Sequence, residues 1–315
     1  MQIQTIVCPV DFFPASEAAL LYATSLAGQY DAGLHIVHVI PPVTSLFTSS
    51  KETGETVKAE HEEARSRLAT MVKAAENSGV STGSEVRFGE IDHEIVNAIE
   101  EQQADLVVAG THGRRGFQRW LMGSVCERLL RRVSIPILTV PNAPNAKTQK
   151  EIEHIKHVLF ATDLSDNSEI GAWAVSIAEN YDSDITVLHV TDFVMGGVSH
   201  LYKDSLLQGL DLEMRKLVPS DASQKCNIAT RVEFGIPFRV ILAIAEQEKF
   251  DLIVLGTHGK GALERTLLGS TAEKVLRGAP SPVLAIPPKL QWKSREVTTR
   301  ASVEEIVAGK RGLIA

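Results

Sequence analysis

Two glycine motifs with identical spacing are the residues of this 315-residue sequence best suited to chemistry. The first runs Gly110-Thr-His-Gly113 and continues, after nine residues, as Gly123-Ser124. The second runs Gly256-Thr-His-Gly259 and continues, after nine residues, as Gly269-Ser270. With glycine near 7% of residues, three glycines at this spacing arise by chance at roughly one start position in three thousand. Two occurrences therefore indicate one site design that is used twice.

The chemistry that these motifs favour is phosphate binding. Glycine at 110 and 113 permits a positive φ and a close approach of the backbone to a ligand. Gly123-Ser124, at the start of a predicted helix, presents free amides and a hydroxyl to an anion. Basic residues add positive charge beside both motifs, namely Arg114, Arg115, Arg119, Lys260 and Arg265. The alternatives are that the glycines form tight turns without a ligand and that the basic residues form a solvated face.

The motifs belong to a longer internal repeat. Phe88-Gly89 recurs as Phe234-Gly235, and Asp105-Leu106 recurs as Asp251-Leu252, in each case 146 residues later. Asp11 recurs 152 residues later as Asp163, so the length differences fall early in each repeat, where we expect loops. We predict two domains, unit 1 (residues 1–142) and unit 2 (residues 156–288), with a polar linker at 143–155 and a C-terminal tail at 289–315.

Each unit alternates short apolar segments with helical ones, which predicts the α/β class: two tandem five-stranded parallel doubly wound sheets, Rossmann-like and related by a pseudo-twofold axis. In unit 1 we expect strands over 5–10, 34–40, a segment ending at 88, 105–109 and 136–140. We expect helices over 16–30, 55–78, 90–101 and 123–132. The apolar fifth strands, Ile135 to Val140 and Val283 to Ile286, are the edges predicted to join the two units.

In such a sheet a ligand lies beyond the carboxyl ends of the strands, where the strand order reverses. For the order 2-1-3-4-5 or a relative of it, the first strand flanks this crevice. Asp11 and Asp163 follow the first strands, so their carboxylates are expected at the crevice. The alternative is that each carboxylate caps the following helix, although Ser16 and Ser168 are better placed as helix caps.

Charge and cysteine content restrict the class of partner and the compartment. Lys and Arg total 32 against 39 Asp and Glu, a net charge of −7, which excludes broad binding to nucleic acid or anionic membranes. Cys8, Cys126 and Cys226 are far apart and form no CxxC pair or disulfide framework, which indicates a reducing compartment. We find neither a signal peptide pattern nor an apolar run long enough to span a bilayer, so we expect a cytoplasmic protein.

The two motifs resemble the GxxGx9G[ST] signature of the nucleotide-binding branch of the universal stress protein family, and the resemblance extends over both units. It implies an ATP site in which the first-strand Asp and a second-strand Val hold the adenosine, while the glycine loop and the following Ser hold the ribose and phosphates. The matching positions are Pro9, Asp11, Val39, Gly110, Gly113, Gly123, Ser124 and Val125 in unit 1, and Asp163, Val190, Gly256, Gly259, Gly269 and Ser270 in unit 2. Unit 2 departs from unit 1 at Ala161 and Thr271, which replace Pro9 and Val125.

Other nucleotide signatures are missing from the sequence: it has neither a GxxxxGK[ST] loop nor a GxGxxG dinucleotide fingerprint after a first strand. His112 and His258 recur beside the glycine motifs and are candidate acid–base groups, with loop histidines bonded to backbone or phosphate as the alternative. His38 and His189 end predicted strands and are expected as core histidines. No residue spacing typical of a metal site occurs, so Mg²⁺ would be held through the phosphates.

These observations favour a cytoplasmic tandem universal stress protein that binds ATP and acts as a nucleotide-responsive stress-response module with slow or no turnover. One alternative is a slow ATPase or self-phosphorylating enzyme that uses His112, His258 or a loop serine. Another is an interaction protein whose glycine loops are vestigial. A homodimer and an unidentified protein partner are further expectations.

Overall fold

The structure is a computed structural model that describes residues 2–42, 50–111, 122–141, 152, 155–165, 168–191, 200–219, 222, 226–258 and 268–288. Within these ranges, residues 50–57 and 200–203 are described by their backbone alone. The predicted alternation of strands and helices is confirmed in both units. None of the described helices has the length and apolar character required to cross a membrane.

Unit 1 contains five strands and four described helices. They are β1 (Thr5–Pro9), α1 (Pro14–Tyr30), β2 (Gly33–Ile40), α2 (Ser50–Asn77), β3 (Thr82–Phe88), α3 (Ile91–Glu101), β4 (Leu106–Gly110), α4 (Ser124–Arg132) and β5 (Ile137–Val140). Helix α1 begins two residues earlier than predicted, because Pro14 at its start has a φ already suited to a helix and has no amide hydrogen to satisfy.

Unit 2 repeats the same sequence of elements. They are β6 (His157–Thr162), α5 (Ser168–Tyr181), β7 (Asp184–Thr191), α6 (His200–Lys216), β8 (Ile228–Phe234), α7 (Pro237–Gln247), β9 (Leu252–Gly256), α8 (Ser270–Gly278) and β10 (Val283–Ile286).

The strand order of unit 1 is β3-β2-β1-β4-β5, and unit 2 has the corresponding order β8-β7-β6-β9-β10. The observed order is therefore not 2-1-3-4-5 itself but a relative of it. Strand β1 pairs in parallel with β2 and with β4, so the strand order reverses between β1 and β4. The first strand therefore flanks the crevice, as predicted.

The two sheets join into one ten-stranded sheet through β5 and β10, which pair antiparallel. Leu138 lies opposite Leu284, and these two residues are equivalent under the 146-residue offset of the repeat. A residue that pairs with its own equivalent lies on a pseudo-twofold axis. The predicted contact between the fifth strands is thus confirmed.

Helices α1 and α5 meet across the same axis through reciprocal hydrogen bonds. The hydroxyls of Ser25 and Tyr181 lie 3.1 Å apart, and those of Tyr30 and Ser176 lie 3.2 Å apart. Ser25 is equivalent to Ser176 and Tyr30 to Tyr181, so one contact is made twice. This reciprocity is the property of an isologous interface, here formed within a single chain.

Each face of the continuous sheet carries one apolar core that extends through both units. Residues from α1, α2, α5 and α6 cover one face, with Trp173 and Phe160 among the largest buried side chains. Residues from α3, α4, α7 and α8 cover the other face. Because both faces are covered, the central strands are predominantly apolar, as expected of buried parallel strands.

The repeated Asp-Leu pair, Asp105-Leu106 and Asp251-Leu252, lies at the amino ends of β4 and β9. Asp105 Oδ2 accepts the amides of Gln4 and Thr5 at 2.8 and 3.0 Å, and Asp251 Oδ2 accepts those of Lys156 and His157 at 2.8 and 3.1 Å. These aspartates therefore bind the segments that lead into β1 and β6, at the edge of the sheet opposite to the crevice.

Candidate functional site

Asp11 leaves the end of β1 in a tight turn that leads into α1. Its Oδ1 accepts the hydroxyl of Ser16 at 2.7 Å and the amide of Phe13 at 3.1 Å, while its own amide donates to Ser16 Oγ at 3.2 Å. The helix cap is Phe13, which makes no capping bond through its side chain. The prediction that Ser16 caps α1 is therefore wrong: Ser16 lies within the first turn and fixes the Asp11 carboxylate.

Asp163 leaves β6 in an analogous turn with different partners. Its Oδ1 accepts the amide and the hydroxyl of Ser165 at 3.0 and 2.6 Å. Residues 166–167 lie outside the described part, so the predicted capping role of Ser168, the first residue of α5, is untested. In both units the residue after the aspartate has a positive φ, 63° at Phe12 and 59° at Leu164.

The two strand histidines bond to the backbone of the neighbouring first strand. His38 Nδ1 lies 2.8 Å from the carbonyl oxygen of Val10, and His189 Nδ1 lies 2.9 Å from that of Thr162. A carbonyl oxygen only accepts, so Nδ1 carries the proton in both rings. His38 is buried, as expected of a core histidine, whereas His189 is half-buried.

Gly110 ends β4 beside the first turn of α1. A Cβ at this position would lie 2.7 Å from the carbonyl carbon and oxygen of Ala15, and Gly110 does not have a positive φ. The expectation of a positive φ is therefore wrong here, and close packing of helix on strand is the reason for glycine. A Cβ at Gly256 would meet the Cδ1 atom of Ile170 at 2.8 Å, and this glycine also lacks a positive φ.

The Gly-Ser pairs begin helices, as predicted. Gly123 and Gly269 are the caps of α4 and α8, and both have extended backbone angles. The amide of Gly123 donates to Thr111 O at 2.5 Å, and that of Gly269 donates to Thr257 O at 2.8 Å. These bonds join the end of each fourth strand to the start of the following helix.

The starts of α4 and α8 have the electrostatic character of an anion site. The first intrahelical bonds run from Glu127 N to Gly123 O and from Glu273 N to Gly269 O, so the amides of 124–126 and 270–272 precede the helical ladder. A glycine cap has no side chain with which to satisfy these amides. The helix dipole adds partial positive charge at the same place.

The structure brings most of the predicted site residues to the carboxyl edge of the sheet. Val39 and Val190 are nearly buried, at 7% and 9% exposure, and belong to the core beneath the glycine-motif helices. The other residues placed at or next to this edge are Pro9, Asp11, Gly110, Gly123, Ser124 and Val125 in unit 1, and Asp163, Gly256, Gly269 and Ser270 in unit 2. Gly113, Gly259, His112 and the five basic residues beside the motifs lie outside the described residues.

His258 is the candidate acid–base group that the structure describes, and Cys126 is a thiol in the first turn of α4. His258 Nδ1 lies 2.8 Å from Thr257 Oγ1. Burial, and to a lesser extent the charge of Glu127, raises the pKa of the Cys126 thiol to about 12, so it stays protonated at neutral pH. Among the described residues no three His, Cys, Asp or Glu side chains come together as metal ligands.

Three contributors to the site were missed by sequence reasoning. Thr111 and Thr257 supply the carbonyls that bind the cap glycines, and they were visible only as part of the repeated Gly-Thr-His-Gly motif. Arg67 of α2 places its guanidinium carbon 4.2 Å from the centre of the Phe12 ring, next to Asp11. No sequence pattern links Arg67 to Phe12, because 55 residues separate them.

Comparison with known proteins identifies the family to which both units are similar. The model of the universal stress protein family matches residues 2–141 and again residues 154–287. The chain belongs to the universal stress protein family. The two matches correspond to the two units, so this is a tandem member of the family.

Similar proteins include some that match nearly the whole chain and others that match less than half of it. A universal stress protein of Mycolicibacterium smegmatis is 26% identical over 293 residues, which cover 90% of this chain and 97% of the relative. One of Methanocaldococcus jannaschii is 32% identical over 136 residues, which cover 43% of this chain and 80% of the relative. A solved universal stress protein of Archaeoglobus fulgidus has a TM-score of 0.67 and 21% identity, and the match covers 91% of this chain and 99% of that one, which supports the fold.

Proposed function

We propose that this tandem universal stress protein binds ATP at the crevice of each unit and acts as a nucleotide-responsive module in the cytoplasm. The observation that carries the proposal is the pair of glycine-capped helices, α4 and α8, each of which starts beside the strand-order reversal. A glycine cap leaves helix amides available to an anion. Because the same arrangement occurs in both units, it favours a phosphate site over a local arrangement that arose by chance.

The orientation of the nucleotide follows from charge. A carboxylate repels phosphate, so Asp11 and Asp163 would receive the nucleoside end, whose hydroxyl and amino groups donate hydrogen bonds. The amides at the starts of α4 and α8 would receive the phosphates. Because Ser16 and the Phe13 amide fix Asp11 Oδ1, the Asp11 carboxylate is held ready for such a donor. Mg²⁺ would be held mainly through the phosphates.

The compartment and the turnover are parts of the same proposal. Cys8, Cys126 and Cys226 are free thiols, which suits a reducing compartment such as the cytoplasm. Binding with slow or no hydrolysis suits a site in which His258 lies against Thr257 and the Cys126 thiol stays protonated.

Calorimetric titration of nucleotide-stripped protein with ATP and Mg²⁺ tests this function. We expect two binding events per chain. Ser124→Asp and Ser270→Asp place a carboxylate at a helix start, where it suits the helix dipole but repels phosphate. Each variant should weaken one of the two events at least tenfold, about 1.4 kcal/mol.

The matched control is Ser134→Asp, which adds the same charge at an exposed position between α4 and β5, at the opposite edge of the sheet. It should leave both events unchanged. Absence of ATP binding at millimolar concentration would overturn the proposal, and rapid release of ADP during the titration would replace the binding module with an ATPase.

A further inference from the structure

The turn after β1 is held from outside by a side chain of α2. The Arg67 guanidinium lies 4.2 Å from the centre of the Phe12 ring, and its Nη2 donates to the Phe12 carbonyl oxygen at 3.2 Å. The same ring lies 4.3 Å from that of His38, which itself donates to Val10 O. Phe12 is thus bound through its ring and its backbone, immediately after Asp11.

This support offsets an unfavourable backbone conformation. A positive φ is uncommon for residues other than glycine, and it persists where surrounding contacts fix it. In unit 2 the equivalent residue, Leu164, has the same conformation, but a local bond holds it: its amide donates to Thr162 Oγ1 at 3.0 Å. Unit 1 has Val10 at the position of Thr162, and valine has no hydroxyl to offer.

The two turns therefore depend on different parts of the molecule. The Asp163 turn is held by residues of its own segment. The Asp11 turn also has local bonds, from Ser16 and the Phe13 amide to Asp11 Oδ1, but its Phe12 residue is bound in addition by Arg67, which reaches it from another helix. A change in the position of α2 would be transmitted through Phe12 to the segment that carries Asp11.

We propose that Arg67 is the positioning residue of the unit 1 site: through Phe12 it holds the Asp11 turn in the conformation that binds ligand, and it makes this site dependent on α2. The statement that this conformation binds a ligand rests on the function proposed above. The loss of one cation–π contact and one hydrogen bond should weaken binding at unit 1 about fivefold to tenfold, with unit 2 unaffected.

The first experiment uses the ligand-free full-length protein and does not depend on nucleotide binding. The Phe12 ring shifts the NMR signals of the His38 ring protons by its ring current. Arg67→Met should move these signals toward their unstacked positions, as should Phe12→Leu. The matched control, Arg65→Met, removes an exposed arginine two residues earlier on α2 and should leave them in place. Unchanged His38 signals in Arg67→Met would overturn the proposal.

The second experiment measures ATP affinity at each unit by calorimetry, with Ser270→Asp used to isolate unit 1 and Ser124→Asp to isolate unit 2. Arg67→Met should weaken unit 1 alone. Val10→Thr, added to Arg67→Met, supplies unit 1 with the hydroxyl that unit 2 uses and should restore most of the lost affinity. Equal weakening of both units, or a lower melting temperature with unchanged unit 1 affinity, would show a merely structural role and overturn the proposal.

The two experiments separate this inference from the proposed function. If the unaltered protein binds no ATP, the function proposed above fails, and the His38 signals still decide whether Arg67 holds the Asp11 turn. If ATP binds at both units and Arg67→Met leaves the affinity of unit 1 unchanged, the function stands and the role of Arg67 is refuted.

Discussion

The two units place equivalent residues at equivalent positions of the sheet, yet they support them with different chemistry. Unit 1 holds the turn after its first strand with an arginine and an aromatic ring, while unit 2 uses a threonine hydroxyl. A second contrast between the units occurs where α3 contacts α4 in unit 1 and where α7 contacts α8 in unit 2. Asp92 is buried, forms an ion pair with Arg128 Nε at 3.0 Å and accepts a hydrogen bond from Arg132 Nη1 at 2.7 Å.

At the equivalent position of unit 2, Phe238 takes the place of Asp92 and Lys274 the place of Arg128. The Lys274 ammonium lies 4.6 Å from the centre of the Phe238 ring. An ion pair in one unit thus becomes a cation–π contact in the other, and both tie a glycine-motif helix to its neighbour. Backbone geometry is common to the two units, whereas the side-chain supports differ between them.

The largest difference between the units is expected at the glycine that ends each fourth strand. A Cβ at Gly110 would meet the backbone of α1, which cannot move alone, whereas a Cβ at Gly256 would meet the flexible end of Ile170. We expect Gly110→Ala to lower the free energy of unfolding by about 3 kcal/mol and Gly256→Ala by about 1 kcal/mol. Urea denaturation of the two variants measures the difference. Equal losses would mean that α1 and α5 adjust equally well to the added methyl group.

A second test concerns the buried carboxylate of unit 1. Asp92→Ala should cost about 2 kcal/mol, because it removes a charge-assisted hydrogen bond and an ion pair at once. The double variant Asp92→Phe with Arg128→Lys installs the pair of unit 2 and should recover at least half of this loss. Thermal and urea denaturation provide the measurement.

The control for this test is Glu100→Ala, an exposed position on α3, which should stay within about 0.5 kcal/mol of the unaltered protein. If the transplanted pair recovers nothing, the cation–π contact of unit 2 is not an equivalent of the ion pair of unit 1.

The smallest effects are expected at the reciprocal tyrosines. Tyr30→Phe and Tyr181→Phe each remove the hydroxyl that bonds a serine of the other unit and should each cost about 1 kcal/mol, since these two contacts are equivalent. Clearly unequal costs would show that the two contacts share a geometry but contribute differently to the free energy of unfolding. Urea denaturation at neutral pH gives both values.

Tyr30 also predicts a pH dependence. Burial, partly offset by hydrogen bonds from Ser176 and Asn180, raises its pKa to about 12. The unfolded chain ionises at the ordinary value of about 10, so the stabilisation is present below that pH and is lost as the pH rises toward 12. Stability measured across this interval should fall more steeply in the unaltered protein than in Tyr30→Phe.

Much of the fold was predictable because it depends on local pattern and repetition. The offset of 146 residues indicated the two units, and the sequence pattern predicted the five strands of unit 1 and, by repetition, a similar set in unit 2. The errors occur where the role of a residue is set by its particular contacts in the folded chain. Ser16 is a good cap by type, but Pro14 starts the helix earlier and leaves Ser16 to bond Asp11. Gly110 was assigned to a positive φ, although the backbone of α1 is the actual constraint.

The same division applies to the candidate site. The Gly-Ser helix starts and the two aspartates were predictable, since they recur in both units at the ends of apolar strands. Arg67 was not, because an exposed arginine on a polar helix resembles its neighbours on that helix until its contact with Phe12 is known.

The sequence by itself determined that this chain is duplicated, α/β and equipped with two glycine motifs, because spacing and hydrophobic alternation are properties of the linear chain. Only the tertiary structure decided how the two fifth strands pair, antiparallel and with Leu138 opposite Leu284 on the axis. It also decided that the two aspartate turns are held by different devices. Such contacts depend on the atoms that surround a residue after folding, and residue type and spacing alone do not specify those surroundings.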